Sequence, residues 1–482
     1  MNLSKSELKL SNLFIVGFEG TELSNELREK LLKLKPAGII LFDTNIESRE
    51  QVKKLILDLK NLLSENTLIS VDQEGGKVER LRKISPSLSS LYALGKMGSG
   101  LDSDGKLSKE SIANLRTHTR LLALDLIDLG FNLVFAPCAD LNSNPDNPII
   151  GTRSLGEDSE LLTQQLNVII NELKKHPLLH CVKHFPGHGD ARVDSHLALP
   201  EIDLSEPEKF NKHISPFKEA IKLNTDSIMV AHALFKFPNR NLEKLPASIN
   251  HLLIKEFLVQ ELKFKNLIIS DEITMKALSN FGDYESICKQ MIKAGNNLII
   301  WNTNIDEALA VYDLDLDANL FDSINASLEK INSFHELLEA REKSYEAPNN
   351  IDQEINNLKY KHQERLKKLF RDYDLKDFTS PDLILCFAHH KIENFVLDEI
   401  FPNIKIERFN NKSNLSEILA QHRNQKVFVF SFLAFRDPEQ RKQINIIKES
   451  ENKVLEIACD FPDSEAGINL LGFNKTHLKS LR

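Results

Sequence analysis

Residues 267–301 read LIISDEITMKALSNFGDYESICKQMIKAGNNLIIW, and this stretch decides the fold. A short apolar run, Leu267–Asp271, ends against a second carboxylate, Glu272; a helical segment follows, and another apolar run spans Leu298–Trp301. Unbroken apolar runs separated by helical segments are the mark of parallel strands covered on both faces. Working outward, runs of the same kind occupy Leu13–Phe18, Ala37–Phe42, Leu68–Asp72, Leu133–Ala136, His180–His184 and Ser227–Ala231, which brings the total to eight. Eight βα units can close with no exposed edge, so the expected architecture is α/β, a (β/α)8 TIM barrel over residues 1–346.

Beyond Glu346 the chain turns polar. Residues 347–375, beginning APNNIDQEINNLKYKHQERLKKLF, read as a turn and a charged connector helix. Residues 376–482 then read as a smaller α/β domain with a parallel sheet. Its strands are expected at Leu383–Phe387, Ile404–Phe409, Val427–Phe432 and Val454–Cys459, with helices near Ile392–Glu399, Leu415–His422 and Pro438–Ser450. No glycine-rich phosphate loop follows its first strand, so no nucleotide or other cofactor is expected.

The 482 residues, 41% apolar and 27% charged, have ample material for a core. Lys plus Arg at 61 against Asp plus Glu at 70 leaves a net charge of −9, which offers no broad footprint for nucleic acid or an anionic membrane. A neutral substrate fits better. No run approaches the roughly 18 apolar residues of a membrane span, and no export signal is readable at the start, so a soluble cytoplasmic protein is expected. The five cysteines are scattered in mostly apolar runs and read as buried, reduced thiols. The oligomeric state is left open.

In such a barrel the C-terminal strand ends converge on one face, where Asp72, Asp140, Lys183, His184, His232 and Asp271 would gather. The densest segment is Lys183–Pro200, KHFPGHGDARVDSHLALP, with three histidines and two aspartates. Asp194 and His196 flank Ser195, and alternate residues of an extended segment project to one side. The Asp194 carboxylate can therefore set the tautomer and basicity of His196, which can then give and recover a proton near neutral pH. Two other readings stand beside this one. His184, His188, Asp190, Asp194 and His196 are all possible metal ligands, although no HExxH signature accompanies them, and no metal is expected; or the histidines only satisfy loop backbone.

Asp271, at a strand end, suits a nucleophile toward an electrophilic carbon; the alternative is a cap for the following helix, and Glu272 could equally be the functional acid. In VDQEGGKVERL, Val71–Leu81, Asp72 can accept from hydroxyls while Gly75 and Gly76 turn the chain and return Arg80 to the pocket; the alternative is a surface turn. Arg153, in GTRSLGED, is a further candidate whose alternative is a surface salt bridge.

With these residues in view the chain resembles glycoside hydrolase family three, and most of all its bacterial β-N-acetylglucosaminidases. The likeness runs in order through VDQEGG, APCADLN, GTRSLGED, KHFPGHGD, DSHLALP, IMVAHALF and SDEITM. It implies Asp271 as the nucleophile that forms a glycosyl-enzyme, His196 as acid/base and Asp194 as its partner. It also implies that Asp72, Arg80, Arg153, Lys183 and His184 bind the sugar, with Met275 packing beneath it. The resemblance implies a retaining exo-β-N-acetylglucosaminidase acting on N-acetylglucosaminides such as muropeptide fragments of peptidoglycan. A glycoside phosphorylase or β-glucosidase of the same family, a silent sugar-binding protein and a metal-dependent hydrolase are the alternatives. Departures from the family pattern are Lys77 for an arginine, Glu272 for an aspartate and Asn297 for an acid.

Overall fold

The computed structural model describes residues 9–85, 88–144, 147–193, 195, 198–302, 305–312 and 317–371, together with 383–387, 405–409, 415–421, 425–431, 438–450, 453–458 and 468–469. Eight parallel strands close into a barrel: β1 (Phe14–Val16), β2 (Gly38–Leu41), β3 (Leu68–Val71), β4 (Leu133–Val134), β5 (Leu179–Phe185), β6 (Ser227–Val230), β7 (Leu267–Glu272) and β8 (Leu298–Trp301). Each pairs with its sequence neighbours, and β1 pairs with β8 to complete the ring. β1 through β6 and β8 are buried throughout, which is why the sequence carries continuous apolar runs where a one-sided sheet would alternate.

Helices return the chain between strands, and their starts are written in the sequence. Ser24, Ser48, Ser108, Asp158, Asp283 and Asp317 each accept a first-turn backbone N–H, at α1 (Asn25–Leu34), α2 (Arg49–Leu62), α3 (Lys109–Leu129), α4 (Ser159–Leu173), α6 (Tyr284–Ala294) and α7 (Ala318–Ser344). α5 (Pro207–Lys222) instead starts on a proline, and a π-helical segment, Leu252–Glu261, connects β6 to β7. Among the described residues no helix is long and apolar enough to cross a membrane. Cys138, Cys181 and Cys288 are free thiols in the interior.

The connector does more than connect. Residues 351–371 form α8 (Ile351–Arg371), which packs along α3: Ile355 and Leu358 join the barrel's core, Arg365 donates to the Ala113 carbonyl at 2.8 Å, and Arg120 pairs with Glu354 at 3.1 Å. The charged sequence hid an apolar stripe at helical spacing, so the connector helix is also a docked outer layer.

The C-terminal unit is a parallel sheet of β9 (Leu383–Phe387), β10 (Lys405–Phe409), β11 (Lys426–Ser431), β12 (Lys453–Ala458) and β13 (Ile468–Asn469), in the spatial order β10-β9-β11-β12-β13. That is the 2-1-3-4-5 order of doubly wound sheets. α9 (Leu415–Gln421) and α10 (Pro438–Lys448) cover it, and Leu415, Val427, Val429, Ile444 and Ile447 make a core of its own. The helix expected near Ile392–Glu399 lies outside the described residues.

Candidate active site

A cleft of about 200 Å³ opens at the C-terminal ends of the barrel strands. Asp72, Arg80, Arg153, Lys183, His184 and Asp271 all line it, so residues spread over two hundred positions of sequence meet on one surface. Local irregularity supplies part of this density. β5 slips register against β6 between Val182 and Phe185, and β7 slips against β8 between Ile269 and Glu272. A regular strand would send adjacent side chains to opposite faces; at these bulges Lys183 with His184, and Asp271 with Glu272, both reach the cleft.

The floor is a buried ion network. After β3, Asp72 and Glu74 project to the same side, and both hold Lys183, whose ammonium lies 2.7 Å from Asp72 Oδ1 and 2.6 Å from Glu74 Oε1. Arg153 grips Glu74 with two nitrogens, Nε and Nη2, each at 2.9 Å. Burial alone would raise the Glu74 carboxyl, but Arg153 and Lys183 outweigh it and hold it at about 2. Burial likewise opposes the Lys183 charge, and Asp72 and Glu74 overturn that too, so the ammonium is held above its usual range. Arg153 is therefore no surface salt bridge: its partner is fully buried and its remaining face borders the cleft.

His184 joins this network to a second one. Its Nε2 lies 3.2 Å from Arg153 Nη2, and since a guanidinium only donates, Nε2 accepts and the Nδ1–H donates to Asp140 Oδ2 at 2.7 Å. Asp140 also accepts from the backbone N–H groups of His184 and His188 and from the Cys138 thiol. Burial opposes its charge, yet His184 and His188 reverse the balance and keep it below the ordinary carboxylate range. Cys138, Asp140 and His184 offer three atoms close enough to hold a metal, but burial and the adjacent Asp140 push the Cys138 thiol well up, and it already donates to Asp140. Asp190, a ligand in the alternative reading, is held by Lys209 at 2.6 Å.

Asp271 Oδ1 accepts the backbone N–H of Glu272 at 2.8 Å, and the short turn that follows, Lys276–Leu278, takes no cap from it. Glu272 accepts from the Thr274 backbone and hydroxyl and from the Asn302 N–H, tying the ends of β7 and β8 together, while burial lifts its carboxyl above the usual range. His232 donates through Nε2 to the Glu272 carbonyl at 3.0 Å. Gly75, at φ +93°, permits the turn between Gln73–Gly75 and Val78–Glu79; a Cβ there would sit 2.2 Å from the Ser89 carbonyl oxygen. The turn sets Arg80 on the cleft wall, its guanidinium 5.5 Å from the centre of the Phe42 ring.

Residues 6–332 match the family model of the glycosyl hydrolase family 3 N terminal domain. A β-hexosaminidase of Hydrogenovibrio crunogenus is 32% identical over 286 residues, covering 59% of this chain and 77% of that protein. The chain belongs to glycosyl hydrolase family 3. A β-hexosaminidase of Haemophilus influenzae is 31% identical over 300 residues, 62% of this chain and 82% of its own. Among solved structures, NagZ from Neisseria gonorrhoeae in complex with N-trifluoroacetyl-D-glucosamine has a TM-score of 0.57 at 26% identity, over 68% of this chain and 96% of that one. A family 3 β-N-acetylglucosaminidase from Paenibacillus sp. str. FPU-7 has a TM-score of 0.78 at 24% identity, over 98% of this chain and 94% of that one, so the likeness of fold takes in the second unit.

Within this family 3 barrel two expected positions need comment. Met275 is buried and is not among the residues lining the cleft, whereas Met229, on β6, is. Asp194 and His196 lie outside the described residues, but Ser195 between them is buried against the cleft, and its carbonyl accepts the Ala277 N–H at 3.3 Å. Sequence reasoning passed over Glu74, whose only signal was its two-residue offset from Asp72.

Proposed function

We propose that the protein is a retaining exo-β-N-acetylglucosaminidase, releasing terminal β-linked N-acetylglucosamine from cell-wall fragments through a covalent intermediate on Asp271. One observation carries the reading: Asp271 opens into the same cleft as the fixed array of Asp72, Lys183, Arg153 and His184. Such an array suits a neutral polyol, because rigid donors and acceptors can be matched by hydroxyls without reorganisation. The β-hexosaminidase names of the relatives, and the N-trifluoroacetyl-D-glucosamine bound by NagZ, support the N-acetyl sugar, while the cell-wall source rests on the family resemblance of the sequence alone.

In the first step Asp271 attacks the anomeric carbon while His196 gives its proton to the departing glycosidic oxygen. In the second, His196 takes a proton from water, which displaces the Asp271 ester and restores the original anomeric configuration. Asp194 orients the ring and stabilises its charged form. Asp72, held on one oxygen by Lys183, keeps its other for a sugar hydroxyl.

The test is aryl release from 4-nitrophenyl N-acetyl-β-D-glucosaminide and from the matching glucoside, for wild type, Asp271→Ala and His196→Ala. The N-acetyl substrate should be preferred, Asp271→Ala should be inactive, and His196→Ala should lose on the order of 10² to 10⁴ in rate. Release of sugar 1-phosphate in phosphate buffer would replace hydrolysis by phosphorolysis. Equal inertness of all three proteins would overturn the function while leaving the fold.

A further inference from the structure

Among the described histidines that border the cleft or the end of β7, His188 differs from the other two. His184 uses both ring nitrogens, on Asp140 and Arg153, and His232 uses both, on Ser248 and the Glu272 carbonyl. His188 is 2% exposed and lines the cleft, yet neither of its ring nitrogens has a hydrogen-bond partner. Buried polar atoms in folded proteins are nearly always paired, so an unpaired ring on a cleft wall calls for an explanation. His176 and His213 also have unpartnered rings, but neither lines the cleft.

The loop that carries His188 is fixed at several points. The His188 N–H donates to Asp140 Oδ1 at 2.6 Å, and its carbonyl accepts from Asn147 Nδ2 at 2.9 Å and from the Ala191 N–H at 3.2 Å. Next to it, a Cβ added to Gly189 would come within 1.6 Å of the Leu141 carbonyl oxygen, so the backbone is seated as closely as it can be. The ring stands edge-on to His184, 6.0 Å between centres. A polar ring held this firmly, with its capacity unspent, is preorganised for something that enters the cleft.

We infer that His188 is a further substrate-binding residue, exchanging a hydrogen bond with a hydroxyl or amide of the sugar held in the cleft. Burial pushes the ring down to about 4, so at neutral pH it offers one donor and one acceptor, which suits groups that can do either. His188 and Asp271 line the same cleft.

This inference rests on the cleft being a sugar site, and wild-type turnover of 4-nitrophenyl N-acetyl-β-D-glucosaminide tests that premise separately. The decisive variants are His188→Leu, which keeps bulk and removes polarity, and His188→Gln, which restores a donor and an acceptor. His188→Leu should lose at least about tenfold in kcat/KM, mostly as a higher KM, with a melting temperature equal to or above wild type, because an unpaired buried ring has been replaced by hydrocarbon. His188→Gln should recover to within about threefold of wild type. An active wild type with an unimpaired Leu variant overturns the role of His188 alone. So does a Gln variant as impaired as Leu, or a failure of both to fold, since either makes the ring a packing element. An inert wild type removes the sugar reading and this inference with it.

Discussion

At the cleft end of the barrel Arg153 grips buried Glu74 with two nitrogens, and Lys183 adds a third contact. At the opposite end, where the strands begin, Arg341 of α7 grips buried Asp226 with two nitrogens at 2.8 and 2.6 Å, and His180 Nδ1 lies 2.7 Å away. Both carboxyls are held at about 2 against burial that would raise them, Glu74 by Arg153 and Lys183 and Asp226 by its contacts with His180 and Arg341. The clusters differ in how they finish. Arg341 spends further capacity on the Leu178 carbonyl, and His180 Nε2 meets Thr225, so the lower cluster is sealed. The upper one stops short: Asp72 is 21% exposed, and Arg153 and His184 border the cleft. The same chemistry serves as a rivet when its last hydrogen bonds are made within the protein, and as a binding surface when they are left for a ligand.

Removing one charge from each cluster is the sharpest way to break that comparison. Glu74→Gln leaves Arg153 and Lys183 without the charge that fixes them, and a misplacement of about 1 Å costs on the order of 10² in rate, so kcat/KM should fall by at least that much. Asp226→Asn strands Arg341 in a sealed interior, which should cost about 3–5 kcal/mol of stability, while kcat/KM below the melting transition stays within about twofold of wild type. Denaturant unfolding beside steady-state kinetics checks both. If Asp226→Asn lowers kcat/KM as much as Glu74→Gln does, the division between rivet and surface is wrong.

What could be read in advance follows from the same physics. The eight strands were legible because burial on both faces demands unbroken apolar runs, and LIIS before Asp271 or LIIW at Leu298–Trp301 admits little else. Asp72, Lys183 and Asp271 were legible as polar residues closing such runs. Glu74 was not, because a carboxylate in a glycine-rich turn reads as exposed unless its two cations, 79 and 109 positions away, are known to arrive. Met229, inside an apolar run that reads only as strand core, gave no sign that it would line the cleft. The docking of α8 was not legible because its charged residues outnumber the stripe of Ile355, Leu358 and His362 that it buries.

A smaller effect separates the carboxylates from the histidines. Burial pushes His188, His213 and His362 down to about 4, below the roughly 6.5 of an unfolded histidine. Between those values the unfolded chain binds protons that the folded chain refuses, so stability is whole above pH 6.5 and is lost progressively as pH falls to 4. Glu74 and Asp226 have lowered values, so their contribution holds above about pH 4 and is lost only toward pH 2. Melting temperature measured against pH should therefore begin to drop near 6.5. Asp226→Asn should lower the curve without changing its shape above pH 4. A flat profile from 6.5 to 4 would falsify the histidine assignment.

The smallest expected effect concerns a support behind the upper cluster. His362 of α8 accepts the Ser89 N–H at 3.4 Å; its neighbour Leu88 donates to Glu79 at 2.8 Å and accepts from the Gly76 N–H at 3.1 Å. The helix thus braces, from behind, the turn that follows Glu74 and sets Arg80 on the cleft. His362→Ala should raise KM about two- to threefold with kcat nearly unchanged, since the turn loosens without losing any group that meets the sugar. Loss of packing alone would also lower the melting temperature, so Leu358→Ala, one turn earlier on α8 and without a bond to Ser89, is the control. It should destabilise comparably and leave KM where it was. If the two variants move KM equally, α8 acts on the cleft only through general stability, and the upper cluster is as self-contained as the lower.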